Sequence, residues 1–367
     1  MSAQAGLPCR SVDACDACLR RTALIAGIAG RLDVEWRRRR GMARVLALPD
    51  DVLLELDPTG AAHQRHRRFD APRARDAIIA AGLSALCRCS ARYPDRLREL
   101  DDPPAVLHVA GAPSALYESD SVALVGARRA TPYGLEVAGG LGRGLARAGV
   151  PVVSGLALGV DAAAHAGAIE GSAAPVAVLA GSADVPYPAR MRGLYGQVVS
   201  NGSVVSEMPP GFAAHRWCFV ARNRIIAALS SVTVVVEAAI RSGSLSTADF
   251  AAQLGRTVAA VPGPVTSPLS AGTNALLAEG AVLVRDGRDI VEQLASEPRW
   301  VDADPAEVAG LEPRLRRVLA EVESGHGTLA DLAHLGVDPQ TLLAALTELE
   351  LTGLVTRHFG GRYARTS

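Results

Sequence analysis

The sequence predicts an α/β protein centred on a doubly wound, mainly parallel sheet, with a helical N-terminal region before it and a small winged-helix domain after it. Three observations predict this. Between Ser121 and about Leu294, short apolar runs rich in Val and Ala alternate with helical segments. That is the pattern of strands covered on both faces and joined by crossover helices. Several of those runs end in turns that carry glycine. From Leu311 onward, three helical spacings are followed by Leu354–His358, Gly360-Gly361 and Arg362–Arg365, the order of a winged helix with a tight hairpin.

Composition limits the functions available. A chain of 367 residues, 49% hydrophobic and with 36 glycines, can bury a large core in two or three domains. Lys+Arg and Asp+Glu are both 38, so the net charge is zero. Any attraction for nucleic acid must therefore be a local patch rather than a global field. The chain has no lysine, and every one of those bases is arginine. A GC-rich genome accounts for this. It removes the P-loop lysine, the Schiff base and the lysine general base. No apolar run has the length of a bilayer span and the N-terminus lacks a secretory pattern, so a soluble, cytoplasmic protein with no membrane partner is expected. Six cysteines in so long a chain do not form a disulfide scaffold.

The elements divide the chain at residues 1–117, 118–296, 297–310 and 311–367. In the first segment Cys9, Cys15 and Cys18 lie close together, and Cys15-x-x-Cys18 has a zinc-chelating spacing that Cys87 or Cys89 would complete. No second C-x-x-C pair exists, so idle reduced thiols are expected and no metal ligand is assigned. The Arg37–Arg40 block reads as a solvated helix face rather than a phosphate contact. Segment 297–310 is an acidic, Pro-containing linker. Arginines of the wing, Arg362 and Arg365, either touch DNA or make protein contacts, or the domain is a spacer.

In the central segment the expected strands are Val122–Val125, Val150–Ser154, Pro175–Leu179, Ser203–Ser206, Val232–Val236, Val258–Val261 and Val282–Val284. The first stops at Gly126, and the turn to Pro132 leads into a helix from Tyr133 to about Ala148. Glycine lets a ligand approach the backbone, the helix N-terminus offers free N–H groups, and Arg128 adds a fork of donors suited to phosphate. This is a candidate anion site. The dinucleotide fingerprint G-x-G-x-x-G is absent. Later strands are followed by Gly155–Asp161, Gly181–Pro188, Glu207, Glu237 and Pro262-Gly263. Such turns along one sheet edge describe a shallow, backbone-lined groove for an extended ligand. Asp161 and His165, one helical turn apart, read as a pair that fixes a loop rather than as an acid–base couple. Within His215–Ala227, Trp217 and Phe219 with Arg216, Arg222 and Arg224 either stack bases and hold phosphates, or form core with the arginines paired to Glu207 or Glu237. Ser242-Gly243-Ser244, opening a further helix, is a second candidate anion site.

These blocks also carry a resemblance. Val125–Thr131, Val153–Asp161 with His165, Ser206-Glu207, Ala221–Ala227, Val236–Ala238 with Ser242–Leu245, and Val261–Gly263 together resemble the DNA-processing protein A (DprA, or Smf) family, in order, over about Pro94 to Leu294. The resemblance implies an extended Rossmann-like fold and a non-enzymatic protein that binds single-stranded DNA, protects it, forms homodimers and helps load the RecA recombinase in natural transformation. It implies phosphate contact by Gly126 and Arg128, and base and backbone contact by Phe219, Arg222, Asn223 and Arg224. With the turn residues Ser154, Gly155, Gly159, Ser242, Gly243 and Ser244, and with Arg190, these form the candidate nucleic-acid-binding set. No catalytic residue and no cofactor is assigned. The chain departs from the family at Ala127, where a serine is usual, at Val220, where proline is usual, and at Ala189-Arg190-Met191, where a basic residue and then Asn are common. A rival from another class is a nucleotide-processing enzyme of the phosphoribohydrolase kind, whose P-G-G-x-G-T-x-x-E motif is absent; a nucleotide sensor using the same turn is a third.

Overall fold

The structure is a computed structural model that describes residues 11–39, 45–294, 311–352, 354–357 and 361–365. The chain forms two compact units, 1–300 and 301–367.

The first unit is built on a ten-stranded sheet. Its strands are β1 (Val12–Asp13), β2 (Ser84–Cys87), β3 (Val106–Gly111), β4 (Val122–Val125), β5 (Val152–Ser154), β6 (Val176–Val178), β7 (Ser203–Ser206), β8 (Val232–Val235), β9 (Thr257–Ala260) and β10 (Val282–Leu283). They lie in the order β1-β2-β3-β7-β6-β5-β4-β8-β9-β10. All neighbours are parallel except β3, which runs antiparallel to both β2 and β7.

Apolar alternation explains how the sheet is covered. Val122 and Leu124 of β4 face one layer, packed with Leu141 and Leu145 of the helix α1 (Pro132–Arg147). Ala123 and Val125 face the other, packed with Ile225, Ile226 and Leu229 of a later helix, Arg216–Leu229. Successive side chains of a strand point to opposite faces, so a strand that is buried throughout needs helices on both sides.

The N-terminal region was expected to be helical and irregular. It does carry helices, but β1, β2 and β3 also extend the same sheet, and these residues belong to the first compact unit. β1 and β2 are short, and β3, although the longest strand of the sheet, runs against its neighbours and so breaks the strand–helix alternation. The linker 297–310 and Cys9 lie outside the described residues, as do the side chains of Arg37–Arg40.

Topology places the site. From β4 the chain moves outward through β5, β6 and β7, then returns to lay β8 on the other flank of β4. The direction of winding reverses between β4 and β8. Ligands of open α/β sheets bind at the carboxyl ends of the strands beside such a reversal.

In the second unit, helices Pro313–Glu323, Leu329–Leu332 and Pro339–Leu351 precede an antiparallel hairpin of β11 (Val355–Arg357) and β12 (Tyr363–Arg365). Leu319, Leu332, Leu346 and Leu349 fill its own core. Arg365 pairs with Glu323, and Arg362 donates to the Gly325 carbonyl at 3.3 Å. These wing arginines are therefore used within their own unit. Among the described residues no helix is long and apolar enough to cross a membrane.

Candidate nucleic-acid interface

The turns after β4 and β8 form the crevice. Ala127 N–H donates to the Glu237 carbonyl at 2.7 Å, and its own carbonyl accepts from Val160 N–H at 3.2 Å. These bonds lock the two turns and the start of the helix Val160–Ile169 together. Gly126 is required for this packing: a Cβ there would lie 2.7 Å from the Val160 side chain and 2.9 Å from the Glu237 carbonyl. The glycine thus admits protein backbone, although its own surface still lines the crevice.

The helix N-terminus after β4 is not the open anion site that the sequence suggested. The Glu237 carboxylate occupies it, accepting from Thr131 N–H at 2.8 Å and from the Thr131 hydroxyl at 2.7 Å, while that hydroxyl accepts from Gly134 N–H at 3.2 Å. A carboxylate at a helix N-terminus meets the same need as a phosphate. Arg128 and Arg129 of this turn line the crevice instead. The second candidate, Ser242-Gly243-Ser244, does open onto the crevice. Asn223 holds it in place, donating to the Gly243 carbonyl at 3.1 Å and to the Ser246 hydroxyl at 2.9 Å.

Arg128 is exposed, and its guanidinium carbon lies 4.7 Å from the centre of the Phe219 ring. The Tyr187 ring stands 5.7 Å from that of Phe219, at 51°. Arg128, Phe219 and Arg222 border two adjoining recesses, one lined by Ser242-Gly243-Ser244 and Arg241, the other by Gly155, Arg190 and Tyr187. The stack is a saddle between them. Arg222 is 5% exposed, and it donates to the Gly155 carbonyl at 2.8 Å, to the Val178 carbonyl, and to Asn223 Oδ1 at 3.2 Å. Burial, partly offset by the Asp161 carboxylate, pushes its pKa down to about 10, so it stays charged at neutral pH. Gly155 is glycine because a Cβ would lie 2.2 Å from this guanidinium.

The residues lining the two recesses include Arg128, Arg129, Arg190, Arg222 and Arg241 but a single carboxylate, Asp161. The chain's zero net charge therefore conceals a local positive patch, the kind that draws a polyanion.

Several expected contacts are taken out of the interface. Arg224 is 1% exposed, and its guanidinium donates to both Glu207 oxygens at 2.8 Å and lies 3.0 Å from Asp102 Oδ1. It is a core ion cluster, because leaving two buried carboxylates without a cation is costly. Ser154 is fully buried, with its hydroxyl on the Leu124 carbonyl at 2.6 Å. Gly159 starts the helix Val160–Ile169 at φ 79° without lining either recess. Trp217 is buried and donates to the Ala29 carbonyl at 3.0 Å, so the two aromatics of that segment divide between core and crevice. Asp161 accepts from Gly155 and Ala157 N–H groups at 3.2 and 3.4 Å, which fixes the loop, but among the described residues no hydrogen bond joins it to His165 as the expected pair. His165 is fully buried, and burial lowers its pKa to about 4.

The sequence reading missed Tyr187, Arg129 and Arg241. Arg129 and Arg241 are one residue from assigned positions. Tyr187 reaches Phe219 from a turn 32 residues earlier, a pairing that no local spacing encodes. Among the described residues, neither potential metal-binding cluster lies in this crevice.

The chain is similar to known proteins over most of its length. A family model described as DNA recombination-mediator protein A matches residues 84–295, and a DprA winged helix domain model matches residues 302–361. The chain is 42% identical over 266 residues to a putative DNA processing protein DprA from Mycobacterium tuberculosis, spanning 71% of this chain and 68% of that protein. It is 36% identical over 223 residues to the DNA processing protein DprA of Bacillus subtilis, spanning 61% and 75%. The crystal structure of DprA from Streptococcus pneumoniae superposes with a TM-score of 0.62 at 29% identity, covering 76% of this chain and 96% of that one. A DprA structure from Helicobacter pylori, described as revealing a single-stranded DNA binding mode, superposes at 0.54 and 31% identity over 59% and 97% of the two chains.

Proposed function

The chain belongs to the DNA recombination-mediator protein A family, and from that premise we propose that it is a recombination mediator that binds single-stranded DNA along this crevice without chemically altering it. The observation that carries the proposal is the saddle of Arg128 on Phe219, with Tyr187 beside it, between two recesses lined by arginine. Every base has a π-face, so an aromatic platform stacks bases irrespective of sequence, and the flanking guanidiniums meet the phosphates. Two adjoining open recesses suit a strand that passes over the saddle better than one enclosed nucleotide. Gly126, Arg128, Gly155, Arg190, Phe219, Arg222, Asn223, Ser242, Gly243 and Ser244 are the proposed interface. To these the geometry adds Tyr187, Arg129 and Arg241.

The side chains that could have supplied chemistry favour the same reading. Asp161 is tied to two backbone N–H groups, and His165 is sealed in the core. Handing the bound strand to RecA during natural transformation, homodimer formation through the first unit, and action in the cytoplasm are the finer parts of the proposal, drawn from the family resemblance.

One experiment tests the reading against the enzyme and sensor alternatives. Oligonucleotides of increasing length and free mononucleotides are titrated against the full chain, with product analysis and light scattering on the same samples. Affinity should rise with length, the DNA should be recovered intact, and the mass should be that of a dimer. Saturation by a mononucleotide, or its turnover, would sink the proposal.

A further inference from the structure

The four cysteines at the far edge of the sheet form a second constellation, remote in sequence from the crevice. Cys15 and Cys18 stand where β1 passes into the helix Asp16–Gly27; Cys87 ends β2 and Cys89 follows in the turn. Strand register brings them together. β1 and β2 are parallel with Asp13 opposite Leu86. Two residues beyond each partner, Cys15 therefore comes level with Arg88, between Cys87 and Cys89. The four sulfurs all lie within 4.8 Å of one another, and Cys18 Sγ is 3.7 Å from Cys89 Sγ. A zinc ion with sulfurs at about 2.3 Å in a tetrahedron requires sulfur separations of about 3.8 Å, whereas a disulfide requires about 2.05 Å.

We propose that Cys15, Cys18, Cys87 and Cys89 hold a structural zinc ion that fastens β1 and its following helix to the sheet. The second half is not a C-x-x-C pair but C-x-C, at the end of β2 and in the turn after it, 72 residues on from Cys15.

The surroundings fit a thiolate cage. Cys15 N–H donates to Cys87 Sγ at 3.4 Å, and the Cys18 backbone N–H donates to the Cys15 sulfur. Such outer bonds orient metal ligands and stabilise the charge on sulfur. Zinc would displace thiol protons to solvent on binding. The turn that carries Cys89 is held independently, because Arg98 donates to the Arg88 carbonyl at 2.6 Å and to the Ser90 carbonyl at 2.5 Å. A two-residue strand has little pairing of its own, and a metal staple supplies what that pairing lacks.

The test uses the full chain, purified under reducing conditions and dialysed against metal-free buffer. Elemental analysis should find about one zinc per chain. Exchange for cobalt(II) should give the charge-transfer and d–d absorption of a tetrahedral tetrathiolate. Cys18→Ser and Cys89→Ser should each lose both signals, while Cys218→Ala, a buried thiol outside the cluster, should keep them. If Cys18→Ser does not fold, Cys89→Ser at the surface carries the comparison. Less than about a tenth of an equivalent of zinc without a cobalt spectrum would overturn the proposal. So would zinc retained undiminished in both serine variants, which would move it to another cluster such as Glu321, His326 and His334. A Cys18–Cys89 disulfide found in peptides of the purified protein would overturn it too.

Discussion

Replacing Arg128 with Ala separates grip from scaffold. Among the described residues no ion pair involves Arg128, and its guanidinium rests on Phe219 at 4.7 Å. An exposed contact of that kind is worth about 0.5–1 kcal/mol. For a unit of this size, each kcal/mol shifts the melting temperature by about 2–4 °C, so Arg128→Ala should melt within a few degrees of the parent. The loss of a charge-assisted contact to phosphate should instead weaken strand binding by about 1.5–3 kcal/mol, about ten- to hundredfold. One phosphate contact fewer should also reduce the salt slope on single strands by about 0.7. Arg128→Lys refines the test: it keeps the charge and so the slope, but loses the planar stack and the fork, so affinity falls only in part. Thermal melts and salt titrations of the three proteins suffice. A clearly lowered melting temperature with an unchanged slope would show that Arg128 belongs to the scaffold and that the reasoning is wrong.

Arg224 should behave in the opposite way. Arg224→Met strands Glu207 and Asp102 in the core and should cost about 3–5 kcal/mol in urea unfolding, while the folded fraction keeps the parent's salt slope; intact stability with lost DNA binding would return Arg224 to the interface. His165 supplies a pH test. Its folded pKa is about 4 against about 6.5 unfolded. The unfolded chain therefore takes up a proton first, and stability is lost as pH falls from about 6.5 towards 4, at up to about 1.4 kcal/mol per pH unit. His165→Gln should remove that increment from the slope. Asp102 and Asp161, which burial pushes upward, are common to both proteins and cancel, so identical slopes would contradict the assignment.

The sequence carried the fold further than it carried the site. Val122–Val125 and Ser203–Ser206 are strands at the bounds expected; the first is continuously apolar, as a strand buried on both faces should be, and the second keeps the apolar pair Val204-Val205 between two buried serines. Thr257–Ala260 is displaced by one residue, as strand ends usually are. Arg222 and Arg224 are indistinguishable in sequence, two arginines separated by Asn223. Only the fold assigns one to the carbonyls at the floor of the crevice and the other to two carboxylates 17 and 122 residues away. The helix terminus after β4 misled for a related reason: its anion is Glu237, 106 residues on. Local spacing shows where donors exist, but it does not show which of them the protein has already satisfied.

The Arg224 cluster has a consequence for what may be called the DNA-binding module. Its three charges come from Asp102 ahead of β3, Glu207 after β7 and the helix Arg216–Leu229. It is a clasp between the N-terminal third and the wall that carries Phe219. A fragment begun at residue 118 would lack one jaw of the clasp and leave β7 as a bare edge where β3 had paired, open to any passing strand. The smallest autonomous unit must reach back at least to Ser84, where β2 starts. The stretch from Ser84 to β3 is thus the far half of the clamp that shapes the groove, and it cannot be shed as an appendage.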